Sequence, residues 1–208
     1  MNNLFQRIIT SIILIFILSI SLFFNKYIWL FVLILCSLVL FIEFNNLTKK
    51  IWKKKKSTIA RINIISLLFL VIFIYVSYEF YNKPLLFIIS ICIFSDTGGY
   101  IVGNLIGGKK LTKISPKKTY SGMFGSFITS SFIVYFAFKD YFENDFLFLI
   151  ILFISAISQF GDIFISYLKR KNKKKDTGSI LPGHGGILDR FDGIIFALLF
   201  GIFFKFII

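Results

Sequence analysis

The stretch KDTGSILPGHGGILDRFDG, Lys175 to Gly193, gathers the groups that chemistry on phosphates needs. Asp189 and Asp192 stand three apart and share a face if a helix has begun there. Oxygen-only donors of that kind suit Mg2+ or another hard cation, usually with substrate phosphates completing the shell. Gly178, Gly183, Gly185 and Gly186 surround Pro182 and His184, and backbone this rich in glycine exposes N–H groups at close range, which suits phosphate oxygens. Arg190, with the pair Lys169 and Arg170, can neutralise further phosphate charge. His184 is the only histidine; it has two readings, a contact to phosphate or a proton carrier on one side and a hydrogen-bonded loop residue on the other.

Two more carboxylates stand where the chain is otherwise apolar. Asp96 and Asp162 lie within or at the end of apolar runs, where an ionised group costs several kcal/mol unless it is paired, metal-bound or wet. In SAISQFGDIFISYLKR the polar residues Ser155, Ser158, Asp162, Ser166 and Lys169 follow at steps of 3, 4, 4 and 3, one stripe on a helix. A serine face for packing plus a snorkelling lysine accounts for the serines but not for the aspartate. In FSDTGGYIVGNLIGG, Asp96, Tyr100 and Asn104 step by four, and beside them so do Gly99, Gly103 and Gly107. The glycines suit close approach of another helix; Asp96 needs a different reason. These patterns predict a polar cavity between the helices that carry Asp96 and Asp162. The segment KISPKKTYSG, which holds Ser115, Lys117, Lys118 and Thr119, again sets lysines beside hydroxyls and a proline.

Some features carry less. GNLIGGKK, Gly103 to Lys110, resembles a phosphate loop but has Lys110 where the hydroxyl should be, and no strand precedes it. Cys36 and Cys92 lie inside apolar runs and imply no disulfide framework, and one histidine makes no zinc site. Glu43 and Glu79 fall near helix ends and are expected to reach interfacial water or basic neighbours, while Asp140, Glu143 and Asp145 read as a solvated turn.

What must position these groups is a membrane bundle. Of 208 residues 57% are hydrophobic and 19% aromatic, too apolar for a domain with a polar surface. A hydrocarbon core of about 30 Å needs about 20 helical residues to cross it. Runs near 8–25, 28–47, 62–81, 85–106, 121–138, 146–168 and 193–208 qualify, the last being the shortest. The predicted fold is therefore all-α, a polytopic bundle of about seven spans. Residues 1–84 form its N-terminal helices; residues 85–208 form the catalytic region with loops 107–120 and 169–192.

The net charge of +14 would point to nucleic acid in a soluble chain. Here, if the N-terminus is cytoplasmic, Arg7 and the loops at 48–61, 107–120 and 169–192 place twenty basic residues on one side. Lys26, Lys83 and Lys139 are left for the other, and Lys205 lies near the C-terminus. That is the positive-inside pattern, and it explains the charge without nucleic acid. SISLFFNKYIW offers no small-residue cleavage site, so the first run reads as an uncleaved anchor.

The segment SYLKRKNKKKDTGSILPGHGGILDRFD, Ser166 to Asp192, resembles the signature of the phosphatidate cytidylyltransferases, the CDP-diacylglycerol synthases. Every fixed position of that pattern is met: S-x-x-K-R, four residues, K-D-x-G, a short apolar stretch, then P-x-H-G-G-x-x-D-R-x-D. SDTGGYIVGNLIGGKKL with ISPKKT, and QFGDIFIS, extend the likeness over roughly residues 94–192. Ser121 and Ile165 depart from it, standing where members of the family often have Glu or Gln and Glu respectively.

The resemblance implies a Mg2+-dependent reaction of CTP with phosphatidate, giving CDP-diacylglycerol and diphosphate. Asp162, Asp189 and Asp192 would build the cation centre, with a second cation in its two-metal form, and Lys169, Arg170 and Arg190 would act beside it. Asp96, Ser115, Lys117, Lys118, Thr119, Ser166, Lys175, Asp176, His184, Gly185 and Gly186 would bind substrate. The setting implied is a bacterial inner (plasma) membrane with the active-site loops cytoplasmic. The partners are the two substrates and membrane lipids, with a homodimer as the assembly left open. Two alternatives stand beside this reading. A CTP-dependent lipid or polyprenol kinase needs similar loops, and a secondary transporter would use Asp96 and Asp162 for coupling ions but predicts internal repeats that the chain lacks.

Overall fold

The computed structural model describes residues 3–53, 55–142, 145–183, 185–201 and 203. Lys54, Glu143, His184 and Lys205, each given a role or a side of the membrane above, lie outside them. Seven helices are present among the described residues: α1 (Asn3–Phe24), α2 (Lys26–Ile51), α3 (Lys56–Glu79), α4 (Lys83–Ile106), α5 (Tyr120–Phe138), α6 (Leu147–Lys171) and α7 (Leu188–Gly201). The first six are long and apolar enough to cross a membrane, and they match the apolar runs closely. The seventh run begins as a helix five residues before the apolar stretch, and its 14 described residues fall short of a full span. This is a multi-pass membrane protein. Phe16, Phe31, Val71, Leu105 and Phe136 are each between 60% and 80% exposed, an arrangement that only a lipid solvent makes favourable.

The helix ends have local causes. Asn25 caps α2 by accepting the Tyr27 N–H at 2.8 Å, and Thr119 caps α5 by accepting the Gly122 N–H at 3.1 Å. Gly107 closes α4 at φ +65 and has open space around its Cα. It therefore terminates the helix and takes no part in the packing stripe that its spacing predicts.

The chain forms two compact units. One comprises Met1–Asn82 with Leu168–Phe191, the other Lys83–Tyr167 with Asp192–Ile208, so the boundaries fall inside α6 and α7. The loop at 169–192, grouped by sequence with the later spans, thus belongs for nearly all its length with α1, α2 and α3.

In the first unit Leu22, Trp29, Leu33, Leu40, Leu47 and Phe73 are buried, and the Trp29 indole donates to the Ser77 carbonyl at 3.1 Å. In the second, Leu85, Phe87, Ile91, Val134, Ile151, Ile154 and Leu198 form the core. There α4 and α5 meet at backbone distance. A Cβ on Gly122 would lie 2.7 Å from the Gly99 carbonyl oxygen and 3.4 Å from the Gly103 Cα. Gly99 and Gly103 are the small residues that this approach requires, with α5 as the partner. Further along, the Thr129 hydroxyl donates to the Phe94 carbonyl at 2.9 Å. On the other face, Gly161 abuts Phe196 and the Asp192 carbonyl, and Gly193 abuts Ser158, which seats α7 on α6.

Candidate functional site

The lysines of the 107–119 loop are held by a turn that the sequence writes plainly. In Ser115-Pro116-Lys117-Lys118 the Lys118 N–H donates to the Ser115 carbonyl at 3.0 Å, with proline at the position where a fixed φ favours a β-turn. Leu111 N to Lys118 O at 2.7 Å and Tyr120 N to Lys109 O at 3.1 Å pin the two arms together. No strand enters this loop, and α4 runs directly into Gly107 and Gly108, so the GNLIGGKK segment lacks the context of a phosphate loop.

Below that turn lies the predicted cavity, about 280 Å3 in volume, lined by Asp96 and Tyr100 from α4, by Ser115, Lys117, Lys118 and Thr119 from the loop, and by Gln159 and Asp162 from α6. The spacing predicts α4 and α6 as its walls; α5 is a third, through Gly122, Met123 and Ser126. Lys118 and Asp162 form an ion pair inside it, their side chains 28% and 27% exposed. Ser166 donates to Asp162 at 3.4 Å, and Ser155 donates to Ser95 at 3.0 Å in the core. The α6 stripe is thus polar from the core outward. Gln159, quoted by sequence only as part of a motif, has a buried amide nitrogen with no hydrogen-bond partner among the described residues.

The first unit carries the second cluster. Lys169 donates to Asp189 Oδ1 at 2.7 Å, with side chains only 11% and 8% exposed. Asp189 Oδ2 accepts the Thr177 N–H at 2.8 Å, the Thr177 hydroxyl at 2.9 Å and the Gly186 N–H at 3.0 Å. Burial works against its charge, but the Lys169 ammonium and the Thr177 and Gly186 amides outweigh that and hold its carboxyl below the usual aspartate range. Gly185 pairs with Leu181 through both backbone groups, at 2.9 and 3.1 Å, closing a turn in which Gly183 and Gly185 have φ of 77 and 88. Only glycine adopts those angles without strain. Asp176, Lys175, Gly185 and Arg190 line a cavity of about 320 Å3. Arg170, exposed, donates to the Lys174 carbonyl at 3.0 Å.

Glu43 corrects the sequence expectation. It is 3% exposed and among the described residues has no basic partner: its carboxylate accepts Leu188 N at 2.8 Å, Ile187 N at 3.2 Å and the Thr177 hydroxyl at 3.0 Å. It caps α7 from α2, neutralising the positive end of that helix. A Cβ on Gly178 or on Gly186 would each come within 2.5 Å of a Glu43 oxygen. Those glycines make room for this carboxylate, and the Gly186, Ile187 and Leu188 amides are taken by carboxylates rather than offered to a ligand. The signal was present, a carboxylate within an apolar helix, the same one that singled out Asp96 and Asp162.

Among the described residues no three of His, Cys, Asp and Glu are gathered to hold a metal. Asp162 nevertheless fits: it stands with Asp96 in a cavity whose other polar lining includes the oxygens of Gln159, Ser115, Thr119 and Ser126, and it already draws one cationic group, Lys118. Asp189 likewise draws a lysine, and each of its oxygens has a hydrogen-bond donor. Asp192 lies on α7, where its own Oδ1 accepts the Gly193 N–H at 3.0 Å.

A sequence model described as the cytidylyltransferase family matches residues 79–208. The phosphatidate cytidylyltransferase of Rickettsia typhi is 33% identical over 220 residues, covering 97% of this chain and 92% of that protein. That of Rickettsia conorii is 35% identical over 210 residues, covering 95% and 89%. The Staphylococcus epidermidis enzyme of the same name is 44% identical over 120 residues, covering 56% and 46%.

Proposed function

The chain belongs to the cytidylyltransferase family, and on that premise we propose that it transfers the cytidylyl group of CTP to phosphatidate, releasing diphosphate and leaving CDP-diacylglycerol in the membrane. The observation that carries this is the cavity where Lys117, Lys118, Ser115 and Thr119 face Asp96 and Asp162. It offers cations and hydroxyls to a polyphosphate beside carboxylates for a cation.

The reaction forms a bond from a phosphatidate oxygen to the α-phosphorus of CTP and breaks the α–β bridge. The attacking oxygen is already ionised near neutral pH, so the chain need supply no strong base. Its work is to hold two polyanions together and to neutralise charge on the leaving diphosphate. Lys117 and Lys118 stand on a rigid turn for that purpose, and the mixed lining of Tyr100, Leu111 and Met123 gives a nucleobase a surface to lie against.

Magnesium is part of the proposal, with the carboxylate of Asp162, in the cavity that it shares with Asp96, as the group that would hold it. When bound, the ion polarises phosphoryl oxygens and shields their charge. Lys118, paired with Asp162 in the cavity, would serve as the cationic group for a phosphate oxygen. The twenty basic residues on the Arg7 side support a cytoplasmic position for the loops, where CTP is.

Membranes containing the chain, given phosphatidate and CTP labelled in the α- or the γ-phosphate, test this. Label from the α-position should enter lipid, should require phosphatidate, and should stop when Mg2+ is chelated. Entry of γ-label with release of CDP would establish a kinase instead.

A further inference from the structure

The second cavity has no counterpart among the sequence expectations in one respect: it includes Arg7. This residue lies on α1, outside the segment that the family model matches, yet it lines the 320 Å3 cavity with Lys175, Asp176, Gly183, Gly185 and Arg190. Its place is ordered. Arg7 Nε donates to the Gly183 carbonyl at 2.8 Å, and the Thr10 hydroxyl, which bonds back to the Gln6 carbonyl at 2.9 Å, lies 3.3 Å from the Pro182 carbonyl. The first helix is thereby fastened to the 181–185 turn, with its guanidinium at the cavity wall.

Among the described residues, three cationic side chains face one carboxylate there, which favours anions. The lining that these residues give is of charged groups and glycines, which suits a compact phosphate. The cavity of the other unit, with Tyr100, Leu111 and Met123, has the opposite character. Two polyanionic substrates need two cationic places. Beyond Arg7, α1 presents Ile12, Ile15 and Phe16 at 61%, 62% and 65% exposure, a surface suited to lipid on the same helix.

We propose that this cavity receives the phosphate headgroup of the lipid substrate, a phosphomonoester, and that Arg7 is one of its binding residues. The assignment rests on the reaction proposed above. Arg7 suits the role because a planar guanidinium with one N–H engaged by Gly183 still has donors for two phosphate oxygens.

The test uses the full chain in detergent, titrated calorimetrically with dihexanoyl phosphatidate in the absence of CTP. Arg7→Gln should raise Kd about tenfold, the worth of one charge-assisted contact, with KM for CTP within about twofold of the parent. Arg7→Lys keeps the charge that orients α1 but loses the fork, and should fall between the two. Arg61→Gln removes an equal charge on α3 and should leave Kd unchanged. Wild-type affinity in both Arg7 variants, an equal loss in Arg61→Gln, or a rise in KM for CTP alone would overturn the assignment. So would inorganic phosphate binding as tightly as the lipid, which would mark a site for free phosphate. If phosphatidate binds through Arg7 but the parent chain transfers no cytidylyl label, the reaction is misassigned while the anion cavity stands.

Discussion

The Glu43 carboxylate lies 2.8 Å from the Leu188 amide, 145 residues further along the chain. With Ile187 N and the Thr177 hydroxyl as its other donors, it ties α2 to the start of the helix that carries Asp189. Glu43→Gln turns one acceptor into a donor facing N–H groups. A buried bond to a charged group contributes about 1.5–3 kcal/mol, so a drop of several degrees in melting temperature is expected in detergent. Cytidylyl transfer should fall at least about tenfold as Thr177, shared with Asp189, loses its place. Thermal unfolding and label incorporation measure the two; parental values in both would show that the capping bonds do not matter.

Asp162→Asn separates catalysis from folding. The pair with Lys118 is more than a quarter exposed on each side, and such pairs contribute under about 1 kcal/mol, so the melting temperature should scarcely move. Turnover should drop by about a hundredfold or more, as when one electrostatic element of an active site is removed. Parallel melting curves and initial rates decide it.

Gly122→Ala tests the approach of α5 to α4. The added methyl would meet the Gly99 carbonyl oxygen at 2.7 Å, a clash with backbone that neither helix can relieve by a rotamer change. A cost of about 1–3 kcal/mol is expected, together with lower activity, because Lys117 and Lys118 precede that helix. Unfolding temperature and the yield of folded protein report it.

Lys171→Gln should leave activity within about twofold. Its ammonium lies 5.1 Å from the Trp52 ring centroid, an exposed cation–π contact of about 0.5–1 kcal/mol, and it faces neither cavity. A large loss in the incorporation assay would show that this lysine does more than set topology.

The Asp189 carboxyl is held below the 3.8 of a free aspartate. A group whose folded pKa is depressed adds stability above its unfolded value, and that stability is lost as pH falls through the folded value. Melting temperature should therefore be level from about pH 8 to about pH 5 and decline below about pH 4. The decline should be shallower in Asp189→Asn, as acid titration followed by thermal unfolding would reveal.

The sequence by itself determined the six long helices, the polar face of α6, the cavity carboxylates and the proline turn that bears Lys117 and Lys118. Each of these follows from local rules. Hydrocarbon thickness sets the length of an apolar run, the helical repeat sets which residues share a face, and proline sets a turn. Only the tertiary structure decided that Gly107 ends α4 while Gly99 and Gly103 admit α5, that Met123 and Ser126 complete the cavity, that Glu43 takes the α7 amides, and that Arg7 meets the 181–185 turn. These depend on how each helix is rotated about its axis and which level of its neighbour it meets. That is settled by side-chain packing between segments up to 176 residues apart, and no spacing along one segment encodes it.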